Sequence, residues 1–263
     1  MPNRFIRTDS TAGVLRIILD RPEVLNSFHS AMAAEVIAAL DQAARDETVR
    51  AVLLTGSGRA FCAGQDLDEA RPREDGSVPD LVAHLEATYN PIVRRIRALE
   101  KPVVAAVNGV AAGAGANLAL ACDFVIASEK ASFIQAFSKI GLVPDTGGTW
   151  FLPRLVGLAR ATALLMTGEK VTAEQAQVMG MIYRVVSPDE LMNQATALAE
   201  QLATMATRGL GLTKRLLNAS ATNDLEAQLT MEATLQGEAG NSHDYPEGVN
   251  AFLGKRPPHF KGH

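Results

Sequence analysis

Residues 101–123 read KPVVAAVNGVAAGAGANLALACD, and this stretch decides the fold. Pro102 breaks what precedes it, Val103 to Val107 is a nearly all-apolar run of strand length, and Asn108-Gly109 is a turn dipeptide. Asn108 to Gly115 then reads as a glycine-rich turn, Asn117 to Cys122 as a helix, and Phe124 to Ala127 as another short strand. A strand without polar alternation is buried on both faces, as in a parallel sheet covered by helices. From Pro102 to Cys122 there is no charged residue, a length that could cross a bilayer. Asn108, Asn117, Gly113 and Gly115 make the segment small and punctuated rather than greasy, so the reading is a buried strand, turn and helix, and no membrane.

The alternation continues outward. Val14 to Leu19 is a β-branched run closed by Asp20-Arg21-Pro22, and a helix follows with Ser30 as its expected cap and Met32, Val36, Ile37 and Leu40 at three- and four-residue spacing. Ala51 to Thr55 is a strand, Gly56-Ser57-Gly58 a loop, and helical periodicity runs from about Leu81 to Leu99. The fold class is α/β, with a core over residues 1–190. Beyond it Asp189 to Ala206, Gly209 to Ala219, Leu225 to Gly237 and Pro246 to Leu253 read as helices, a region 191–263 without a linker that would split it off as a separate domain. The loop Arg71 to Asp80, charged and holding Pro72, Gly76 and Pro79, is the segment expected to move.

Composition narrows the function. With 263 residues, 47% hydrophobic and 21% charged, the chain can bury a sizeable core. Its net charge of −4 lacks the basic surplus of a phosphate-tracking surface, so nucleic acid is not an expected partner. Cys62 and Cys122, in apolar surroundings, predict free thiols in a reducing compartment, and Arg4, Arg7 and Asp9 interrupt any secretory signal; the expected location is the cytoplasm. His29, His84, His243, His259 and His263 show no metal-ligand spacing, Gly113-Ala114-Gly115 lacks the rest of a dinucleotide or phosphate-loop fingerprint, and Gly56-Ser57-Gly58 is not a nucleophile elbow.

Three segments remain as candidate chemistry. Phe61-Cys62-Ala63-Gly64-Gln65-Asp66-Leu67 and Asn108 to Asn117 are glycine-rich turns that each follow a strand. Small residues there serve either tight strand-helix packing or the convergence of free N–H groups on one oxygen, and composition leaves both open. The third is Gly141-Leu142-Val143-Pro144-Asp145-Thr146-Gly147-Gly148-Thr149-Trp150. Asp145 there is either a carboxyl whose pKa is raised by apolar surroundings so that it can take and return a proton, or the N-cap of a helix beginning near Thr149.

Together with Arg21-Pro22-Glu23-Val24-Leu25-Asn26-Ser27, Leu118-Ala119-Leu120-Ala121-Cys122-Asp123 and Lys255-Arg256-Pro257-Pro258-His259-Phe260, these segments resemble the enoyl-CoA hydratase/isomerase (crotonase) family over essentially the whole chain. The resemblance implies a crotonase-like spiral of β-β-α units in two sheets, followed by a helical region that mediates trimers, or hexamers as dimers of trimers. It places the thioester oxygen on the backbone N–H groups of Gln65 and Ala114. It assigns the CoA surroundings to Glu23, Val24, Leu25, Ala63, Gln65, Asp66 and Leu67, with Lys255 reaching a CoA phosphate, in its own or a neighbouring subunit. CoA enters as part of the acyl-CoA substrate, so no separate cofactor is expected.

The departures carry information. The two water-activating glutamates of the family's hydratases correspond here to Asn117 and Phe137, neither of which can act as a base, so hydration should be weak. Asp145 matches the proton-shuttling carboxylate of the family's isomerases. Residues 133–150 look like the members that convert the ring epoxide of 1,2-epoxyphenylacetyl-CoA, in phenylacetate catabolism, to the seven-membered oxepin-CoA. Phe133, Phe137 and Trp150 would suit such a ring, and Asn117 would orient the acyl group or satisfy the start of its helix. The expectation is an acyl-CoA isomerase working through an enolate and a single Asp. The alternatives are a Δ3,Δ2-enoyl-CoA isomerase acting on linear chains and a non-catalytic member that only binds CoA thioesters.

Overall fold

The computed structural model describes residues 4–71 and 75–263. Of the loop Arg71 to Asp80, residues 72–74 therefore lie outside the described residues. The chain opens with the antiparallel pair β1 (Ile6–Thr11) and β2 (Val14–Leu19), then α1 (Ser30–Arg45), which buries Met32, Ala33, Val36, Ala39, Leu40 and Ala43. Its cap is His29 rather than Ser30. The His29 Nδ1 accepts the N–H of Met32 at 3.0 Å, while Ser30, already inside the helix, donates its own N–H and hydroxyl to Glu69.

Next come β3 (Ala51–Gly56), β4 (Ala60–Cys62), α2 (Leu67–Ala70), α3 (Leu81–Ala87) and α4 (Tyr89–Ala98). The periodicity over Leu81 to Leu99 predicts one helix, but it is broken at Thr88, where φ −119° and ψ −80° leave the ladder and both the N–H and the hydroxyl turn back to the His84 carbonyl. Then follow β5 (Val103–Val107), β6 (Val110–Ala112), α5 (Ala114–Leu120), β7 (Phe124–Ser128) and β8 (Ser132–Ile134). Residues 102–122 are thus two strands and a helix, and among the described residues no helix is long and apolar enough to cross a membrane. The expected turn over Asn108 to Gly115 contains β6, and α5 starts at Ala114 rather than Asn117. Three small residues are too few to show a strand pattern; β6 is a strand because β4 and β8 pair with it on both sides.

The remaining elements are α6 (Gly148–Val156), α7 (Leu158–Thr167), β9 (Lys170–Thr172), α8 (Ala173–Val178), β10 (Arg184–Val186), α9 (Leu191–Thr204), α10 (Thr207–Ala219), α11 (Leu225–Gly240) and α12 (Asp244–Leu253). They complete two sheets, a six-stranded one in the order β1-β2-β3-β5-β7-β10 and a four-stranded one in the order β4-β6-β8-β9. In β3/β4, β5/β6 and β7/β8 the first strand enters the large sheet and the second the small one, with parallel pairing within each sheet. This repetition is the spiral.

One face of the large sheet packs on α1, α4 and the small sheet; the other, through Leu53, Val104, Ala106 and Ile126, packs on Leu191, Ala195, Ala199 and Leu202 of α9. Residues after 190 thus begin by burying sheet surface. Asp123 ties α10 to this core: its carboxylate accepts from Arg97 (3.0 Å), from the buried Lys214 of α10 (2.7 Å) and from the Val103 N–H (2.9 Å). Cys62 and Cys122 are free and buried, and burial pushes both thiols up to about 12.

Candidate active site

The turns after β4 and β6 meet at one point. Gly64 has φ +96°, and a Cβ there would stand 2.8 Å from the Ala112 carbonyl and 3.6 Å from the Ala114 nitrogen, so only glycine allows this approach. The Phe28 N–H donates to the Gly64 carbonyl and the Asp66 N–H donates to the Phe28 carbonyl, each at 2.7 Å. Those bonds leave the Gln65 N–H on the opposite side of the backbone without a partner among the described residues. Ala114, first in α5, has no carbonyl four residues back within its helix. Both residues line a cleft of about 780 Å³. Gly115 presses α5 onto β4, where a Cβ would lie 2.2 Å from the Cys62 carbonyl. The small residues of the two turns therefore serve tight packing and leave free donors together.

Asp145 lines the same cleft from the segment before α6. Its carboxylate accepts the Thr146 hydroxyl at 2.7 Å, and burial pushes its pKa above the ordinary carboxylate value against the opposing pull of that hydroxyl and of His84. It does not cap α6, whose N-cap is Gly147 with no side-chain bond. Its backbone carbonyl accepts from Gly148 N–H and from Asn117 Nδ2 at 2.9 Å. Asn117 is fully buried and off the cleft: its Oδ1 accepts from Gln135 Nε2 at 2.7 Å, so its amide fastens the backbone of Asp145.

Phe137 lines the cleft beside Gly113. Phe133 does not; it is buried in β8, and Trp150 faces another cavity with Arg97 and Lys214, its ring under the Arg154 guanidinium. One of the three expected aromatics is therefore placed to meet an acyl group. Val24, Ala63, Gln65, Asp66 and Leu67 line the cleft. Glu23 is exposed and Leu25 half-buried, both off it, with the Leu25 carbonyl accepting from the Ala63 N–H. Lys255, exposed beyond α12, does not line the cleft of its own chain. The Asp66 carboxylate is committed: burial resists its charge, but the Asp68 N–H and Arg21, at 2.8 Å, hold it below its ordinary value. Lined as it is by Asp66 and Asp145, the cleft has one uncommitted carboxylate among the described residues. His84, from α3, also lines it; nothing in its sequence neighbourhood marks it.

The spiral of strand pairs with a helical C-terminal region is a crotonase-like α/β fold. The family model described as enoyl-CoA hydratase/isomerase matches residues 9–263, and the chain belongs to that family. It is 52% identical to a 1,2-epoxyphenylacetyl-CoA isomerase of Escherichia coli over 98% of each chain, and 49% identical to a probable enoyl-CoA hydratase of Rhodobacter capsulatus, again over 98% of each. An enoyl-CoA hydratase subunit I structure from Geobacillus kaustophilus superposes with a TM-score of 0.92 at 36% identity over all of both chains. Hydratase/isomerase chemistry on CoA thioesters follows at the level of the family.

Proposed function

We propose that this protein is an acyl-CoA isomerase that moves a proton through an enolate, with the ring epoxide of 1,2-epoxyphenylacetyl-CoA as its substrate. The observation that carries the reading is Asp145, half-buried and the one carboxylate lining the cleft among the described residues that no cation pairs, in the cleft that also holds the free N–H groups of Gln65 and Ala114. The thioester carbonyl accepts from those two donors, which makes the adjacent C–H acidic. Asp145 takes that proton and negative charge gathers on the thioester oxygen; the ring C–C bond shared with the epoxide breaks as the π electrons shift, giving the seven-membered oxepin, and Asp145 returns the proton to a ring carbon. One C–H bond breaks and one forms, so no co-reactant is needed. Preorganised donors of this kind are each worth about 3 to 4 kcal/mol of transition-state stabilisation.

Among the described residues no second unpaired carboxylate lines the cleft, which argues against hydration, since that reaction needs a group to activate water. The 52% identity to an isomerase named for the epoxide supports the choice of substrate. The apolar wall formed by Val82, Leu85, Ile140, Leu142 and Val143 would also take a linear 3-enoyl chain by the same proton transfer. Turnover of a 3-enoyl-CoA against the phenyl epoxide separates these two. A protein that only binds CoA thioesters would show no exchange of α-protons in deuterated water. The test is Asp145→Asn: isomerisation falls by about 10²- to 10⁴-fold while CoA-thioester affinity is kept, and turnover within a few-fold of the parent would refute the assignment. The exposed apolar residues of the C-terminal helices, Leu225, Leu229, Phe252 and Leu253, support assembly as trimers or hexamers, and the buried free thiols suit a reducing, cytoplasmic setting.

A further inference from the structure

A line of hydrogen bonds ends on Asp145. Gln135, directly after β8, donates from Nε2 to the Oδ1 of Asn117 in α5 at 2.7 Å, and Asn117 donates from Nδ2 to the Asp145 carbonyl at 2.9 Å. Gln135 and Asn117 are both buried, and neither lines the cleft. The direction of the line is dictated at its Asp145 end. A backbone carbonyl only accepts, so Asn117 must turn its NH₂ to Asp145 and its oxygen to Gln135, and Gln135 must answer with its own NH₂. That leaves Gln135 Oε1 buried without a hydrogen-bond partner among the described residues. An apolar side chain of the same length would fill the space without stranding an oxygen, so packing does not account for the amide at this position.

What the line holds is the peptide between Asp145 and Thr146. Its carbonyl also accepts the Gly148 N–H at 2.8 Å, and Gly148 has no room for a side chain, since a Cβ would lie 2.3 Å from Asn117 Nδ2. Because a peptide unit is planar, fixing that carbonyl fixes the Asp145 ψ and the Thr146 φ together. Thr146 is held at φ +52°, a left-handed conformation that a β-branched residue keeps only where its surroundings enforce it, and there its hydroxyl reaches the Asp145 carboxylate at 2.7 Å. The terminal torsion of an asparagine is broad, so Asn117 needs its oxygen anchored to keep its NH₂ on the carbonyl. We propose that Gln135 is a positioning residue for the proton transfer: by orienting the Asn117 amide it locks the Asp145–Thr146 peptide and so aims the Asp145 carboxylate into the cleft. The inference rests on Asp145 as the base and extends that reading to a residue that does not line the cleft.

The test reads α-proton exchange of phenylacetyl-CoA in deuterated water. Gln135→Met keeps the length of the side chain and removes the donor. It trades one unpaired oxygen, Gln135 Oε1, for another, Asn117 Oδ1, so the melting temperature should stay close to that of the parent. The kcat of exchange should fall roughly ten- to a hundred-fold with KM nearly unchanged, the scale of a small misplacement of a catalytic group. The acid limb of the rate profile should move to higher pH, because the Thr146 hydroxyl that holds the Asp145 pKa down is no longer kept on the carboxylate, while His84 and Tyr89, the other titratable groups coupled to its charge, are not altered. In an Asn117→Ala background the same substitution should cost nothing further. Exchange at the parent rate, an unmoved acid limb, or an equal loss in both backgrounds overturns the proposal. Should Gln135→Met not fold, Asn117→Ala alone decides, since it must show the same fall and the same shift, and parent values there refute the relay. A parent that exchanges no α-proton, or an Asp145→Asn protein that exchanges as fast as the parent, removes the base itself; a silent Asp145→Asn beside a parent-like Gln135→Met removes the positioning role alone.

Discussion

Asp145 sits where its charged form is disfavoured, and that has opposite consequences for activity and for stability. A carboxyl whose pKa is raised by folding binds more protons in the native state than in the unfolded one. Its contribution is present below the ordinary carboxylate pKa and is lost as pH rises through the raised value. Asp145→Asn should therefore melt at the parent temperature or above it near neutral pH, with the difference closing in acid, in a pH series of thermal melts. With Asp145 as the proposed base, the same shift should move the acid limb of kcat/KM above the ordinary carboxylate range, because a base must be ionised to accept a proton. A variant that is inactive and at least as stable would mark this as a residue held for chemistry rather than packing.

At the scale of elements, the junction of the β4 and β6 turns governs both donors. Gly64→Ala meets the Ala112 carbonyl and an unfavourable φ, which should push the turns apart and misplace the Gln65 and Ala114 N–H groups. We expect α-proton exchange in deuterated water to fall by roughly 10²- to 10³-fold, with a smaller loss of thioester affinity and a lower melting temperature. This level also shows what could be read in advance. β2, β3 and β5 were legible because Val14 to Leu19, Ala51 to Thr55 and Val103 to Val107 are mostly apolar, largely β-branched runs of strand length, with only Arg16 and Thr55 polar. β6 was not, since Val110, Ala111 and Ala112 become a strand only through long-range pairing. The break at Thr88 was hidden for a related reason: apolar spacing survives across it while the backbone does not. Asp145 stood out as a lone acid in an apolar stretch. The orientation of Asn117 away from the cleft depends on α5 starting at Ala114, and the arrival of His84 depends on how α3 folds over the site, neither of which local pattern encodes.

The whole molecule is held together across its sheet by α9 and by the network around Asp123. Lys214 is buried, and that burial draws its ammonium pKa down while Asp123 supports its charge. Asp123→Ala would leave Lys214 and Arg97 without their shared carboxylate. The expected loss is about 3 to 5 kcal/mol in urea unfolding, with little relief from added salt because the pair is shielded from solvent. Light scattering should give a mass three or six times that of one chain, and a monomer at micromolar concentration would remove the assembly reading. Both sulfhydryls, Cys62 and Cys122, are sealed inside and keep their protons. The protein thus exposes no thiol, and a cysteine-alkylating reagent should leave the folded chain's sulfhydryls untouched until it unfolds.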